Sequence, residues 1–181
     1  TAVILDSIVN GGSNGYNIYG ITITASSPTI SGTTINGGSA SEYATGISIG
    51  GNASPAISNS DVYAGNAKRS YGVSCYTSST PKISKSILHG GTGNNSYGVF
   101  CNDASPIIEN STINGGGKVA GNLNSYGIML YNASPLATII INNTIDGGIS
   151  NNSQGIGLQN GNINSEISNN IIFTSGGTYR Y

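Results

Sequence analysis

Six basic and seven acidic residues among 181, one histidine, two cysteines and no tryptophan leave this chain short of most reactive chemistry. A nucleic-acid surface needs clustered Lys and Arg to neutralise phosphates. Here Lys68-Arg69 is the only adjacent basic pair, so no nucleic-acid partner is expected. No apolar run reaches the length of a membrane-spanning helix, so no membrane insertion is expected. One histidine cannot build a two-histidine metal site. Two cysteines do not make a disulfide framework and do not settle the compartment. No stretch carries helical periodicity long enough to count. A disordered chain this poor in charge would also be poor in Ile and Val, and this one is not. No leader is visible, since Thr1-Ala2-Val3 opens directly into a strand-like run. That is the appearance of a secreted protein with its leader removed, or of a segment of a longer chain.

What the chain has in abundance is itself. Tyr-Gly-aliphatic units occur at Tyr19-Gly20-Ile21, Tyr71-Gly72-Val73, Tyr97-Gly98-Val99 and Tyr126-Gly127-Ile128, with weaker copies at Thr45-Gly46-Ile47 and Gln154-Gly155-Ile156. The glycines advance by 26, 26, 26, 29 and 28 residues. A fixed period of this size means one structural unit stacked on copies of itself. Downstream lie Ser27-Pro28, Ser54-Pro55, Thr80-Pro81 and Ser105-Pro106, each followed two residues on by isoleucine. Period-two alternation, as in Ile21/Ile23 and Ile47/Ile49, broken by Gly, Pro and Asn, is the strand signature. Each unit reads as about three short strands.

A propeller blade needs about 40–45 residues, whereas 26 fits one circuit of a three-sided parallel β-helix. Equivalent strands then lie about 4.8 Å apart, and right-handed coiling follows the general bias of parallel connections. The whole chain, residues 1–181, reads as a single all-β solenoid of about seven turns, the outer ones incomplete. Stacking predicts four inward apolar columns: Ile21-Ile47-Val73-Val99-Ile128-Ile156; Ile23-Ile49-Cys75-Cys101-Leu130-Leu158; Ile4-Ile30-Ile57-Ile83-Ile108-Ile140-Ile167; and Val9-Ile35-Val62-Leu88-Ile113-Ile145-Ile172. Two positions after the third column come Asp6, Gly32, Asn59, Lys85, Asn110, Asn142 and Asn169. Asn tolerates left-handed backbone angles and its amide can bond a neighbouring turn, so a bend lined by an asparagine stack is expected. Thr22, Ser48, Ser74 and Ser31 fall on outward positions.

The Asn-centred bend in Glu109-Asn110-Ser111-Thr112-Ile113 and the Tyr-Gly-Ile units resemble the parallel β-helix repeat superfamily, of pectate-lyase-like architecture. The Ser-Pro-x-Ile and Asn-x-x-Ile-x-Gly-Gly units are most similar to tandem repeats of secreted or surface-anchored bacterial and archaeal proteins. The resemblance implies a right-handed single-stranded parallel β-helix and a secreted or cell-surface location.

Enzymes of this architecture are mostly polysaccharide lyases and hydrolases, which need carboxylates for Ca²⁺ with a nearby base, or paired carboxylates for glycoside hydrolysis. Asp6, Asp61, Glu109, Asp146 and Glu166 each fall at a different phase of their turn. Asp61 has Thr34 and Ile87 as column neighbours, and Asp146 has Asn114 and Phe173. Glu109 lies diagonal to Lys85, which suggests a surface salt bridge. His89 is expected to be exposed and without a catalytic partner. No catalytic, cofactor or metal residues are therefore assigned. Cys75 and Cys101 fall in register on adjacent turns. A cross-rung disulfide has an allowed Cα separation, but parallel side chains make its torsion awkward, which favours buried thiols.

Tyr71, Tyr97 and Tyr126 stack on consecutive turns, either as a sugar-binding row or simply to stabilise the solenoid. Whether they point in or out depends on whether the following glycine reverses strand parity. Departures from a regular repeat map to loops, often on a binding face. The longest interval, residues 117–125, marks Lys118 and Asn122 as a candidate ligand surface, and a second insertion follows Pro135. Six Asn-x-Ser/Thr sequons, at Asn52, Asn94, Asn110, Asn132, Asn142 and Asn151, matter only in a glycosylating extracellular setting. The outward series Thr22, Ser48, Ser74, Phe100, Met129, Gly157 lacks the regular Thr array of an ice-binding face.

The expectation is a non-enzymatic structural or adhesive rod. Its partners would be neighbouring β-helix segments or identical subunits, met through terminal turns without capping helices. The alternative is a carbohydrate-binding or polysaccharide-cleaving β-helix domain.

Overall fold

The computed structural model describes residues 2–118, 123–132, 137–160 and 165–176. Twenty strands wind into three parallel sheets, and no helix occurs among the described residues. Sheet I holds Val3–Leu5, Thr29–Ser31, Ala56–Ser58, Lys82–Ser84, Ile107–Glu109, Thr138–Ile141 and Ser165–Ser168. Sheet II holds Ile8–Asn10, Thr34–Asn36, Asp61–Tyr63, Ile87–His89, Thr112–Asn114, Thr144–Asp146 and Ile171–Phe173. Sheet III holds Ser13–Thr24, Ser39–Gly50, Asn66–Tyr76, Thr92–Asn102, Asn124–Tyr131 and Asn152–Gln159. Each strand pairs with its equivalent one circuit away, so the chain makes about six turns plus a further rung in sheets I and II.

The four columns stand as the repeat requires. Ile83 pairs with Ile57 and Ile108, Leu88 with Val62 and Ile113, and Val99 with Val73 and Ile128. Their central members form one continuous core; Val73 and Val99 are 0% exposed. On the outermost rungs the same columns meet solvent, as at Leu158, Ile167 and Ile172.

Proline sits where the ladder loses nothing by its missing N–H. Each of Pro28, Pro55, Pro81 and Pro106 lies just before a sheet I strand, and its carbonyl accepts the N–H of a residue on the next circuit at 2.9–3.0 Å.

At the corner between sheets I and II every bend residue has positive φ, from Asp6 (44°) through Asn59 (48°), Lys85 (49°) and Asn110 (53°) to Asn169 (54°). The bend residues bond the next turn through their backbone N–H groups, but the ladder of side-chain hydrogen bonds between turns belongs to the next residue, not to the asparagine stack expected from sequence. The Ser60 hydroxyl donates to the carbonyl of Ser58 (2.8 Å) and accepts the N–H of Thr33 on the previous turn (3.2 Å). Ser86 and Ser111 repeat the pattern, and the Asn143 and Asn170 carboxamides continue it. The bend side chain points to solvent and its successor points inward. Asn110 and Asn142 are accordingly exposed while Ser111 and Asn143 are buried. The Lys85 side chain is exposed and does not form the suggested salt bridge. Its backbone N–H donates to the Glu109 carbonyl at 3.2 Å, and no ion pair joins the two side chains.

The third strand of each circuit departs from the short-strand reading. It runs 8–12 residues because it continues through a bend at the repeated glycine.

Candidate functional site

The bend in sheet III decides which way the tyrosines point. Ser96 and Val99 are both 0% exposed although they lie three residues apart, so parity reverses between them. Gly98 occupies the reversal. A Cβ there would lie 2.5 Å from Ile113 Cγ2 and 2.6 Å from the Gly127 carbonyl oxygen, because the backbone is pressed against sheet II. Tyr97 therefore faces outward, together with its register partners Tyr71 and Tyr126. Inward, the same strands carry a buried serine row, Ser70, Ser96, Ser125 and Ser153, with the last two hydroxyls 3.0 Å apart.

The outward tyrosines form a ladder. Tyr71 and Tyr97 stack at 5.1 Å between centroids and 12° between planes, and Tyr97 and Tyr126 at 5.3 Å and 5°. Sequence places Thr45 at the next position, but Tyr43, two residues earlier, leans across it and stacks on Tyr71 at 6.2 Å and 13°. Thr45 is buried as a result of this crowding. Tyr43 is held from its other side. Arg69 donates to the Tyr43 hydroxyl at 2.5 Å and lies 5.3 Å from its ring centroid, and both Arg69 and Lys68 pair with Glu42 at 3.1 and 3.0 Å. Three residues beyond each tyrosine runs a second outward row. In it Phe100 forms a T-shaped pair with Tyr97 (5.2 Å, 65°) and lies tilted against Tyr71 and Tyr76. Ser74, on the same row, is buried rather than solvent-facing.

Burial pushes the Tyr97 and Tyr76 phenols up to about 12, and Tyr71 higher still. These hydroxyls stay protonated across the physiological range. The ring faces of Tyr71 and Tyr97 are covered by neighbouring rings, and Tyr71 as a whole is buried. A sugar-stacking row needs open faces, so this geometry supports the stabilising role of the ladder.

Of the other surface flagged by sequence, Lys118 is exposed, while Asn122 lies outside the described residues, as do Pro135 and Leu136 of the second insertion.

The carboxylates are dispersed along the rod. Asp61 pairs with Thr34 and Ile87 in sheet II, Glu109 with Ser84 and Ile141 in sheet I, and Glu166 with Ile139. Asp146 is buried and its carboxylate is occupied. Oδ1 accepts the N–H groups of Gly148 and Ser175 at 2.9 Å each, and Oδ2 accepts from Asn114 at 2.9 Å and from the Ser175 hydroxyl at 2.5 Å. It anchors the chain after the last strand. Among the described residues no three His, Cys, Asp or Glu side chains gather as a metal site. His89 is half-buried rather than exposed, because its imidazole stacks on Tyr63 at 5.1 Å and 6°. Burial lowers its pKa, against the opposing pull of Asp61. Cys75 and Cys101 are register partners in the core and are free thiols. The hydrogen bond with Cys75, then burial, raises the pKa of Cys101, which makes it a poor nucleophile.

Sequence reasoning missed two features of this surface, the crossing of Tyr43 and the polar slot beside it. Tyr43 lies off the repeat phase, so no periodic signal marks it. The slot arises from small residues, Ser48 and Ser74, at a position where later turns carry Phe100 and Met129.

Comparison with curated proteins gave no match. A family model described as "Right handed beta helix region" matches residues 1–145, most of the length over which the three-sheet winding is seen. The chain belongs to the right-handed β-helix family.

Proposed function

We propose that this chain is a non-enzymatic structural module of a secreted or cell-surface protein, a stiff rod that spaces, displays or adheres. The carrying observation is the unbroken stacking of like on like. Apolar columns, the inward Thr33-Ser60-Ser86-Ser111 ladder and the outward tyrosine ladder all run along one axis. Each circuit contacts its neighbours through three hydrogen-bonded sheets, so bending the rod means breaking sheet pairing and core contacts together. Its weakly charged, Asn- and Ser-rich exterior favours hydrogen bonding over ionic capture. The last described rungs of sheets I and II leave inward column side chains open to solvent, among them Ile167 (38% exposed) and Ile172 (46% exposed). Unpaired parallel edges of this kind accept a further β-helical turn, from a neighbouring segment or a second copy.

The test is small-angle X-ray scattering with electron microscopy across a concentration series. The rod reading expects particles of constant cross-section whose length grows with concentration. A compact particle, or one that stays monomeric at all concentrations while cleaving or binding a polysaccharide, would overturn it.

A further inference from the structure

The second outward row of sheet III reads Thr22, Ser48, Ser74, Phe100, Met129, Gly157 in register. On the fourth and fifth circuits its side chains fill the concave side of the bend. Phe100 lies 5.2 Å from Tyr97 and 5.4 Å from Tyr71, and Met129 lies where a Cβ on Gly157 would be 2.6 Å from its sulfur. On the second and third circuits the aromatic walls persist but the filler is serine. The result is an open slot of about 250 Å³ beside Ser48, walled by Tyr19, Tyr43, Tyr71 and Tyr76, with Asn17 on its lining.

We propose that this slot binds a small uncharged monocyclic phenol. Phe100 shows how a ring sits in this groove: it lies T-shaped to Tyr97, whose own faces are covered by Tyr71 and Tyr126, so what Tyr97 offers it is an edge. Aromatic edges carry partial positive charge and favour the π-face of a partner ring, an attraction a saturated sugar ring does not offer. The volume falls below the roughly 300–1,000 Å³ of sites for drug-sized ligands, which suits a single ring. The polar groups at the slot, Ser48 and Asn17, offer partners to one ring hydroxyl. The lining holds no Asp, Glu, Lys, Arg or His. The adjacent Arg69 is already committed to Tyr43 and Glu42, so the slot has no free charge for an anion or cation. The site stands independently of whether the rod assembles end to end.

The probe is 4-methylphenol, titrated by saturation-transfer NMR, with methyl β-D-glucopyranoside as the comparison ligand. The wild-type chain should bind the phenol saturably at one site and should not bind the glycoside. Ser48→Phe places on the second circuit the filler that Phe100 supplies on the fourth, and should weaken phenol binding at least about tenfold. Tyr19→Ala removes a wall at a residue that is 41% exposed, and should weaken binding severalfold with the circular dichroism spectrum unchanged. If Ser48→Phe fails to fold, Tyr19→Ala decides alone. Absence of saturable phenol binding, preference for the glycoside, or undiminished binding by the folded variants would each overturn the proposal.

Discussion

At the corner between sheets I and II the chain turns through a left-handed residue; within sheet III it turns through a glycine. Both bends recur on every circuit, yet they obey different constraints. The first is a constraint of angle. Asp6, Gly32, Asn59, Lys85 and Asn110 all occupy it, with φ between 44° and 62°, and the side chains of Asp6, Asn59, Lys85 and Asn110 stand in solvent. The second is a constraint of space. Gly20, Gly46, Gly72, Gly98, Gly127 and Gly155 hold it without exception, and a Cβ at Gly46, Gly72 or Gly98 would come within 2.5 Å of another atom. An angular constraint selects for residues that tolerate strain, and a spatial one selects for the absence of a side chain.

The most direct way to break this contrast is Gly98→Ala. Its Cβ would meet Ile113 Cγ2 at 2.5 Å and the carbonyl oxygens of Gly127 and Asn114 at 2.6 and 2.9 Å, two of them backbone atoms that cannot swing away. We expect a loss of about 3 kcal/mol or more in urea unfolding. Gly12→Ala is the control, since a Cβ there meets nothing within 4 Å and should change stability by less than about 0.5 kcal/mol. Equal effects at the two sites would remove the spatial argument.

The glycine bend also sets up an alkaline weakness that the other corner lacks. Tyr76 and Tyr97 titrate near 12 in the folded chain against about 10 when unfolded, and Tyr71 is shifted in the same direction. For an acid whose folded pKa is raised, the stabilisation is complete below the unfolded value and is lost as pH rises through the folded one. Thermal stability should therefore hold to about pH 10 and fall steeply toward pH 12. Tyr97→Phe should flatten that fall. Tyrosinate absorbance that is complete by about pH 11 with the β-sheet spectrum intact would contradict it.

At the left-handed corner the intermediate effect lies one residue past the bend. Ser86→Ala removes the donor to the Ser84 carbonyl (2.8 Å) and strands the buried N–H of Ser60, which Ser86 accepts at 3.3 Å. A buried unsatisfied donor costs about 1–3 kcal/mol, so chemical denaturation should report a loss in that range. An unchanged midpoint would mean that the hydroxyl ladder carries no net stability.

These two corners also mark how far the sequence could be read. The apolar columns were legible because burial imposes the same chemistry on every turn, and Ile57, Ile83 and Ile108 repeat it without interruption. The left-handed bend was legible because asparagine announces it. The hydroxyl ladder was not, because serine is common everywhere in this chain. Its signal was present, though, in the column Ser7, Thr33, Ser60, Ser86, Ser111, Asn143, Asn170, where every member carries a short polar side chain. The outward direction of the tyrosines depended on a parity reversal that only the bend at Gly98 resolves. The slot beside Ser48 depended on Tyr43 leaving its own phase, which is a packing outcome with no periodic trace.

The smallest expected change is also the sharpest measure of the angular constraint. Lys85 is the one long charged side chain in the bend column, at φ 49°, between Asn59 at 48° and Asn110 at 53°. A non-glycine residue in the left-handed region carries a cost of about 1–2 kcal/mol, which asparagine partly offsets through local hydrogen bonding of its short side chain. Lys85 makes no ion pair with Glu109, so its replacement forfeits no such contact. Lys85→Asn should therefore stabilise the chain by about 0.5–1 kcal/mol, read as a raised urea midpoint with the slope unchanged. Lys85→Ala keeps the angle but offers no compensating side chain, and should give no such gain. If both variants behave alike, the asparagines of this column are tolerated there for reasons other than backbone angle.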